Sequence, residues 1–113
     1  MDALIDQTRR LHSSLFAQEL QECRSWEKFL QALPGEVPLV LEWPGVGPHV
    51  LVVHRLSEER LVFYNSLGLG GEVGASLVSG GPIRIQEEEG LESLPAQQVR
   101  LWMEEGRAVA LLG

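Results

Sequence analysis

A histidine and an asparagine stand at the two ends of a hairpin pattern, where together they could orient and transfer a proton. His49 opens one apolar, β-branched run and Asn65 closes the next, and a short charged tip joins the two runs. This pattern predicts a β-hairpin. If residues 57–59 form a three-residue loop, Leu51 pairs with Asn65, and His49 lies on the same face one diagonal step away. A separation of about 7–8 Å between Cα atoms suits contact between an imidazole and an amide.

Acyl-transfer chemistry also needs a nucleophile, and the sole thiol of the sequence belongs to Cys23. Cys23 precedes a predicted helix but has no evident route to His49. A single cysteine cannot form an internal disulfide or a multi-thiolate metal site. We therefore expect Cys23 to be a buried structural thiol in a reducing compartment, and we expect neither a metal nor a cofactor.

The remaining chemistry-bearing residues favour structural or solvated roles. His54, in mid-strand, is predicted to face away from His49 and to be hydrogen-bonded, whereas His12 is predicted on the surface of a helix. The glycine-rich stretch 66–81 lacks the Lys-Ser/Thr of a phosphate loop, so we predict a long loop there. The glutamates at 87–89 are predicted to form a solvated turn, since consecutive carboxylates point in different directions.

Changes in hydrophobic period predict the elements that position these residues. Apolar residues at helical spacing predict an amphipathic helix over 3–22, and Ser25 is placed to cap a second helix that Pro34-Gly35 ends. The predicted strands are 37–43, a hairpin of 49–56 with 60–65, 82–86 and 107–112, and a last helix runs over 95–105. This order predicts an α+β fold, a mainly antiparallel sheet with a central hairpin and helices on both sides. One domain, 1–113, is predicted, with the N-terminal helix in 1–24 and the α+β core in 25–113.

The acidic composition narrows the class of partner. The 113 residues include 16 acidic and 9 basic side chains, a net charge of −7. Binding to nucleic acid or to an anionic membrane needs a cluster of basic residues, and the sequence has none. No apolar run approaches the ~20 residues of a membrane span, and the acidic N-terminus lacks the apolar core of a signal peptide. The sequence therefore predicts a cytoplasmic protein whose partner is a peptide or a protein.

Residues 25–112 resemble the C-terminal half of the bacterial papain-like cysteine peptidases that process bacteriocin leader peptides. The resemblance rests on the helix 25–33, the strand 37–41, the Gly-x-His at His49 and the run from Asn65 to Gly68. It implies a reduced papain-like half-barrel in which His49 is the general base and Asn65 orients it. The family's nucleophilic cysteine lies at a helix N-terminus far upstream of the histidine, and this sequence has no such motif.

Three functions are compatible with this pattern. The first is a non-catalytic papain-like domain, a pseudoenzyme that binds a peptide or a protein. The second is a cysteine peptidase that uses His49 and Asn65 with Cys23 or with a cysteine from another chain. The third is a small acidic chaperone or adaptor.

The helix over 3–22 carries an apolar stripe that must be covered. Fully burying a side chain of this kind is worth about 1.5–3 kcal/mol, so the stripe is predicted to lie on its own sheet or on another protein. Its largest members are Leu4, Leu11, Leu15, Phe16 and Leu20. We therefore predict a homodimer or a partner complex through residues 3–22.

Overall fold

One antiparallel sheet organises residues 1–43, 47–64, 85–88 and 90–113, the parts of the chain that the computed structural model describes. The helices are α1 (Asp2–Phe16), α2 (Trp26–Gln31) and α3 (Ala96–Glu104). The strands are β1 (Gln21–Cys23), β2 (Val37–Trp43), β3 (Gly47–Ser57), β4 (Arg60–Tyr64), β5 (Ile85–Glu88), β6 (Leu91–Pro95) and β7 (Ala108–Leu112). Their order across the sheet is β1-β7-β2-β3-β4-β6-β5, and neighbouring strands are antiparallel. Within these ranges no helix is both long enough and apolar enough to cross a membrane.

The predicted α+β class and its mainly antiparallel sheet are confirmed, and the predicted hairpin occupies the centre of the sheet. The predicted strand 37–43, the last helix and the last strand are also observed. β1 and β6 were not predicted, because β1 is only three residues long and β6 directly follows the turn at Gly90. The predicted solvated turn at 87–89 is wrong for Glu87 and Glu88, which belong to β5. The predicted loop 66–81 lies outside the described residues.

The predicted helix over 3–22 is too long. α1 ends at Phe16 because Ala17 adopts the left-handed conformation, with φ 52° and ψ 32°, and its N–H bonds the carbonyl of Ser13. The chain then turns back, Leu20 is buried, and β1 pairs with β7. Residues 17–19 are good helix formers, so tertiary pairing has overridden local propensity here.

The sheet is buried on both faces, as predicted from its apolar strands. On one face α2 and α3 cover the larger cluster, which includes Phe29, Leu39, Leu51, Val99 and Trp102. On the other face α1 covers a smaller cluster of Ile5, Leu20, Val40, Val109 and Leu111. Because Ile5 and Leu20 anchor this second cluster, the N-terminal segment is part of the core and not a detachable arm.

The hairpin turn is shorter than predicted. Glu58 and Glu59 both have positive φ, 50° and 66°, as in a two-residue type I′ turn, and Ser57 pairs with Arg60. A bulge between Val53 and Arg55 then shifts the register by one residue. As a result, Val52 pairs with Tyr64 and Val53 with Phe63, the alignment that the predicted three-residue loop also requires.

The division of α1 into a buried part and an exposed part predicts contrasting effects of two substitutions. Ile5→Ala should lower the free energy of unfolding by about 2–5 kcal/mol, because it opens a cavity over Val40 and Val109. Leu11→Ala, on the same helix, should change it by less than about 0.5 kcal/mol, because Leu11 is 61 % exposed. Urea denaturation followed by tryptophan fluorescence measures both. Equal losses from the two variants would show that Leu11 is covered in solution.

Candidate functional site

His49 is a core residue. It lies on β3 directly opposite Leu41 of β2, on the face covered by α2 and α3, and its side chain is 0 % exposed. The ring of Trp43 lies edge-on to the imidazole, with 5.7 Å between ring centroids and an interplanar angle of 88°. Trp43 in turn contacts Phe63 and Trp102. The predicted general base is therefore packed within an aromatic cluster.

This burial limits what His49 can do chemically. A general base must come within hydrogen-bond distance of the proton that it abstracts, and a side chain with no exposed surface offers a substrate no approach. Asn65 lies outside the described residues, so the predicted pair of His49 and Asn65 stays a prediction. Among the residues that the structure describes, no three side chains of the metal-ligating types lie together.

Cys23 lies far from His49. Cys23 pairs with Ala110, Ala110 with Leu39, and Leu39 with Leu51, so three strand spacings, about 14 Å, separate Cys23 from the row of Leu51. His49 lies two residues further along β3, which adds about 7 Å along the strand and brings the separation to about 16 Å. A thiol must come within about 3 Å of the imidazole for the two to act together, so these two residues do not form a catalytic pair in this fold.

The thiol of Cys23 has a structural environment, as predicted. Its side chain is 7 % exposed, and Sγ donates a hydrogen bond to the carbonyl of Ser25 at 3.4 Å. Ser25 is the N-cap of α2, where its hydroxyl accepts a hydrogen bond from the Lys28 N–H as the sequence predicts. Cys23 therefore helps to join β1 to α2.

The other two histidines also have structural contacts. His54 is half-buried, with Nδ1 3.3 Å from the carbonyl oxygen of Gly35, and the Gly35 N–H donates back to the His54 carbonyl. His12 is half-buried rather than fully on the surface. Its Nε2 lies 3.4 Å from Oε1 of Gln18, and its ring centroid is 4.7 Å from that of Phe16.

The last two turns of α1 expose three large apolar side chains, Leu11, Leu15 and Phe16, which we call the α1 overhang. They are 61, 66 and 66 % exposed. Leu11 and Leu15 follow Leu4 along one side of the helix, whereas Phe16, three turns after Ile5, continues the face that packs on the sheet. The predicted stripe is thus divided: Ile5 and Leu20 are buried, and Leu11, Leu15 and Phe16, which lie between them in the sequence, are exposed.

The overhang lies at the end of the sheet where β2 begins and β7 ends. A cleft of about 330 Å³ opens below His12, between α1 and the end of the sheet. It is lined by residues that include His12, Gln18, Glu36, Pro38 and Leu111. Pro38 is near the start of β2 and Leu111 near the end of β7, so beyond His12 the helix has no strand under it. Sequence periodicity reveals the stripe but not the point at which the sheet stops.

Three exposed carboxylates lie at this same end of the sheet, and we call them the acidic end: Glu36, Glu58 and Glu59. Glu36 directly precedes β2. The first residue of β2, Val37, pairs with Val53, so β3 runs on past β2 to the turn at Glu58 and Glu59. Within the described ranges, the ion pairs do not involve these three glutamates.

No family model, curated protein or solved structure matches this chain.

The burial of Cys23 predicts slow alkylation of the native protein. Iodoacetamide should modify the native thiol much more slowly than the thiol of the urea-unfolded chain, because the sulfur is covered and bonded to the Ser25 carbonyl. Mass spectrometry over a time course measures both rates. A native rate at pH 6 above that of a free thiol would indicate a thiolate–imidazolium pair and would restore the peptidase hypothesis.

Proposed function

We propose that this chain is a non-catalytic papain-like domain that binds a peptide or a protein through the α1 overhang. The observation that carries the proposal is the exposure of three large apolar side chains at the C-terminal end of α1, with Leu11 and Leu15 on one side of the helix and Phe16 about 100° around it from Leu15. Burying each of these side chains against a partner is worth about 1.5–3 kcal/mol. Contiguous exposed apolar surface of this kind marks interaction sites.

Two observations support the non-catalytic part of the proposal. His49 has no exposed surface, and Cys23 lies about 16 Å away across the sheet. The papain-like part rests on the sequence resemblance, which covers α2, the strand pair β2–β3 and the start of β3 at His49. A cytoplasmic location belongs to the proposal as well, since a free cysteine fits a reducing compartment.

The two alternative functions make different demands on the same residues. A peptidase completed by another chain's cysteine requires that chain to reach His49, which is covered by its own core. An acidic adaptor that dimerises through α1 would use the same overhang to bind a second copy. The mass of the protein in solution separates the adaptor from the domain that we propose.

Point substitutions test the proposal better than deletion, because removing residues 1–22 would also remove Ile5, Leu20 and part of β1. Peptides selected from a random-peptide display library should bind the wild-type chain and lose at least tenfold in affinity to the L11S/L15S/F16S variant. Leu101→Ser is the matched control, since Leu101 is a 40 % exposed leucine on α3. Circular dichroism verifies that both variants are folded.

Selected peptides that bind the triple variant as tightly as the wild type would place the interaction elsewhere on the chain. A wild-type dimer in light scattering that the triple variant abolishes would favour the adaptor.

A further inference from the structure

The cleft below His12, which we call the His12 cleft, is lined largely by apolar side chains. Val37 and Leu111 belong to the buried core, and Pro38 and Leu112, which also line it, are half-buried. Its volume of about 330 Å³ is at the small end of the ~300–1,000 Å³ that is typical of ligand pockets. The cleft therefore suits one large side chain of a partner and not a longer segment.

The polar groups of the His12 cleft are mainly hydrogen-bond acceptors. Nε2 of His12 lies 3.4 Å from Oε1 of Gln18, and Nε2 is the donor because that oxygen can only accept. In a neutral imidazole Nδ1 is then left as an acceptor. Glu36 adds a carboxylate, and the ion pairs within the described ranges do not involve it. The amide nitrogen of Gln18 lies against Gly113, so an occupant of the cleft should present a donor.

The charges around the cleft favour a neutral donor over a cation. The elements beside it already carry cations, Arg9 on α1, Lys28 on α2 and Arg55 on β3. Arg9 is paired with Glu19, whereas the ion pairs among the described residues include neither Lys28 nor Arg55. A further cation would meet these charges and would gain little from one exposed carboxylate. A neutral donor can bond the carboxylate of Glu36 without that repulsion.

The rings at the end of α1 favour an aromatic occupant. The ring centroids of His12 and Phe16 are 4.7 Å apart at an interplanar angle of 40°, and a further ring can pack against this pair. Because Phe16 belongs to the α1 overhang, a peptide that covers the overhang lies directly beside the cleft. Tyrosine is the smaller of the two aromatic side chains that carry a neutral donor.

Resting on the proposed function, we infer that the partner of the α1 overhang inserts a tyrosine side chain into the His12 cleft. The ring lies on the apolar lining, and the hydroxyl donates a hydrogen bond to the carboxylate of Glu36. The apolar contacts of the overhang surround this anchor and exclude water from it, as around the central residues of other interfaces.

Three small molecules test the cleft on the full chain. p-Cresol is the tyrosine side chain as a free molecule, 4-methylanisole is the same ring with its hydroxyl methylated, and 4-methylbenzylamine carries a cation in its place. In NMR titrations p-cresol should shift the amide resonances of Gln18, Val37 and Leu111 until they saturate. We expect the other two molecules to bind at least fivefold more weakly.

A pair of glutamate variants locates the hydrogen bond. Glu36→Ala removes the acceptor, so it should weaken p-cresol at least fivefold and change 4-methylanisole less than twofold. Glu27→Ala, at an exposed glutamate on α2, is the matched control and should change neither affinity by more than twofold. Circular dichroism verifies that both variants are folded.

Library-selected peptides connect the cleft to the partner. They should contain a tyrosine whose replacement by phenylalanine costs at least fivefold in affinity for the wild-type chain. The same replacement should cost less than twofold for Glu36→Ala, because the two changes remove the same hydrogen bond.

The remaining outcomes separate this inference from the proposed function. If 4-methylanisole or the amine binds as tightly as p-cresol, or if the shifted resonances lie away from the cleft, the inference is overturned. Peptides that require Leu11, Leu15 and Phe16 but tolerate phenylalanine in place of tyrosine also overturn it, and they leave the proposed function standing. If no selected peptide depends on these three residues, the proposed function is overturned and the inference falls with it.

Discussion

The pairing of β2 with β3 is the constraint on which the rest of the structure depends. Val37–Trp43 lies against 47–53 in the middle of the sheet, and side chains on both faces of this pair are buried. Because the side chains on both faces are apolar, either face left in water would forfeit much of the burial energy, so both faces must be covered. α2 and α3 cover one face and α1 the other, and the C-terminal end of α1 lies past the start of β2. The exposed end of the helix is thus a consequence of where the central strands stop.

The same constraint decides the state of His49. Here the side chain opposite Leu41 points into the larger cluster, and Trp43 occupies the space beside it. Reaching this imidazole would require the Trp43–Trp102 packing to open, which would cost several kcal/mol of buried aromatic surface. The position that could perform chemistry is used instead to complete the core.

Elements that carry a clear local signal were predictable from the sequence. Features set by tertiary contacts or by unusual backbone conformations were not. The strand 37–43, the cap at Ser25 and the last helix were predictable because each carries a local signal. The end of α1 at Ala17 and the two-residue turn at Glu58 and Glu59 were not, because positive φ is adopted there without glycine or asparagine. The predicted alignment of Val52 with Tyr64 was right only because the bulge offsets the shorter turn. The stripe on α1 was visible in the sequence, but its division into buried and exposed parts depends on the end of the sheet, which no local pattern encodes.

The exposed apolar end of α1 and the large negative charge of the chain have opposite effects on self-association. Three large apolar side chains in water would promote association between copies, whereas net charge of one sign opposes it. Repulsion between chains of −7 acts at the distance of a Debye length, about 8 Å at physiological salt, which is comparable to the spacing of packed helices. A second copy at the α1 overhang would therefore bring two acidic ends within range of each other.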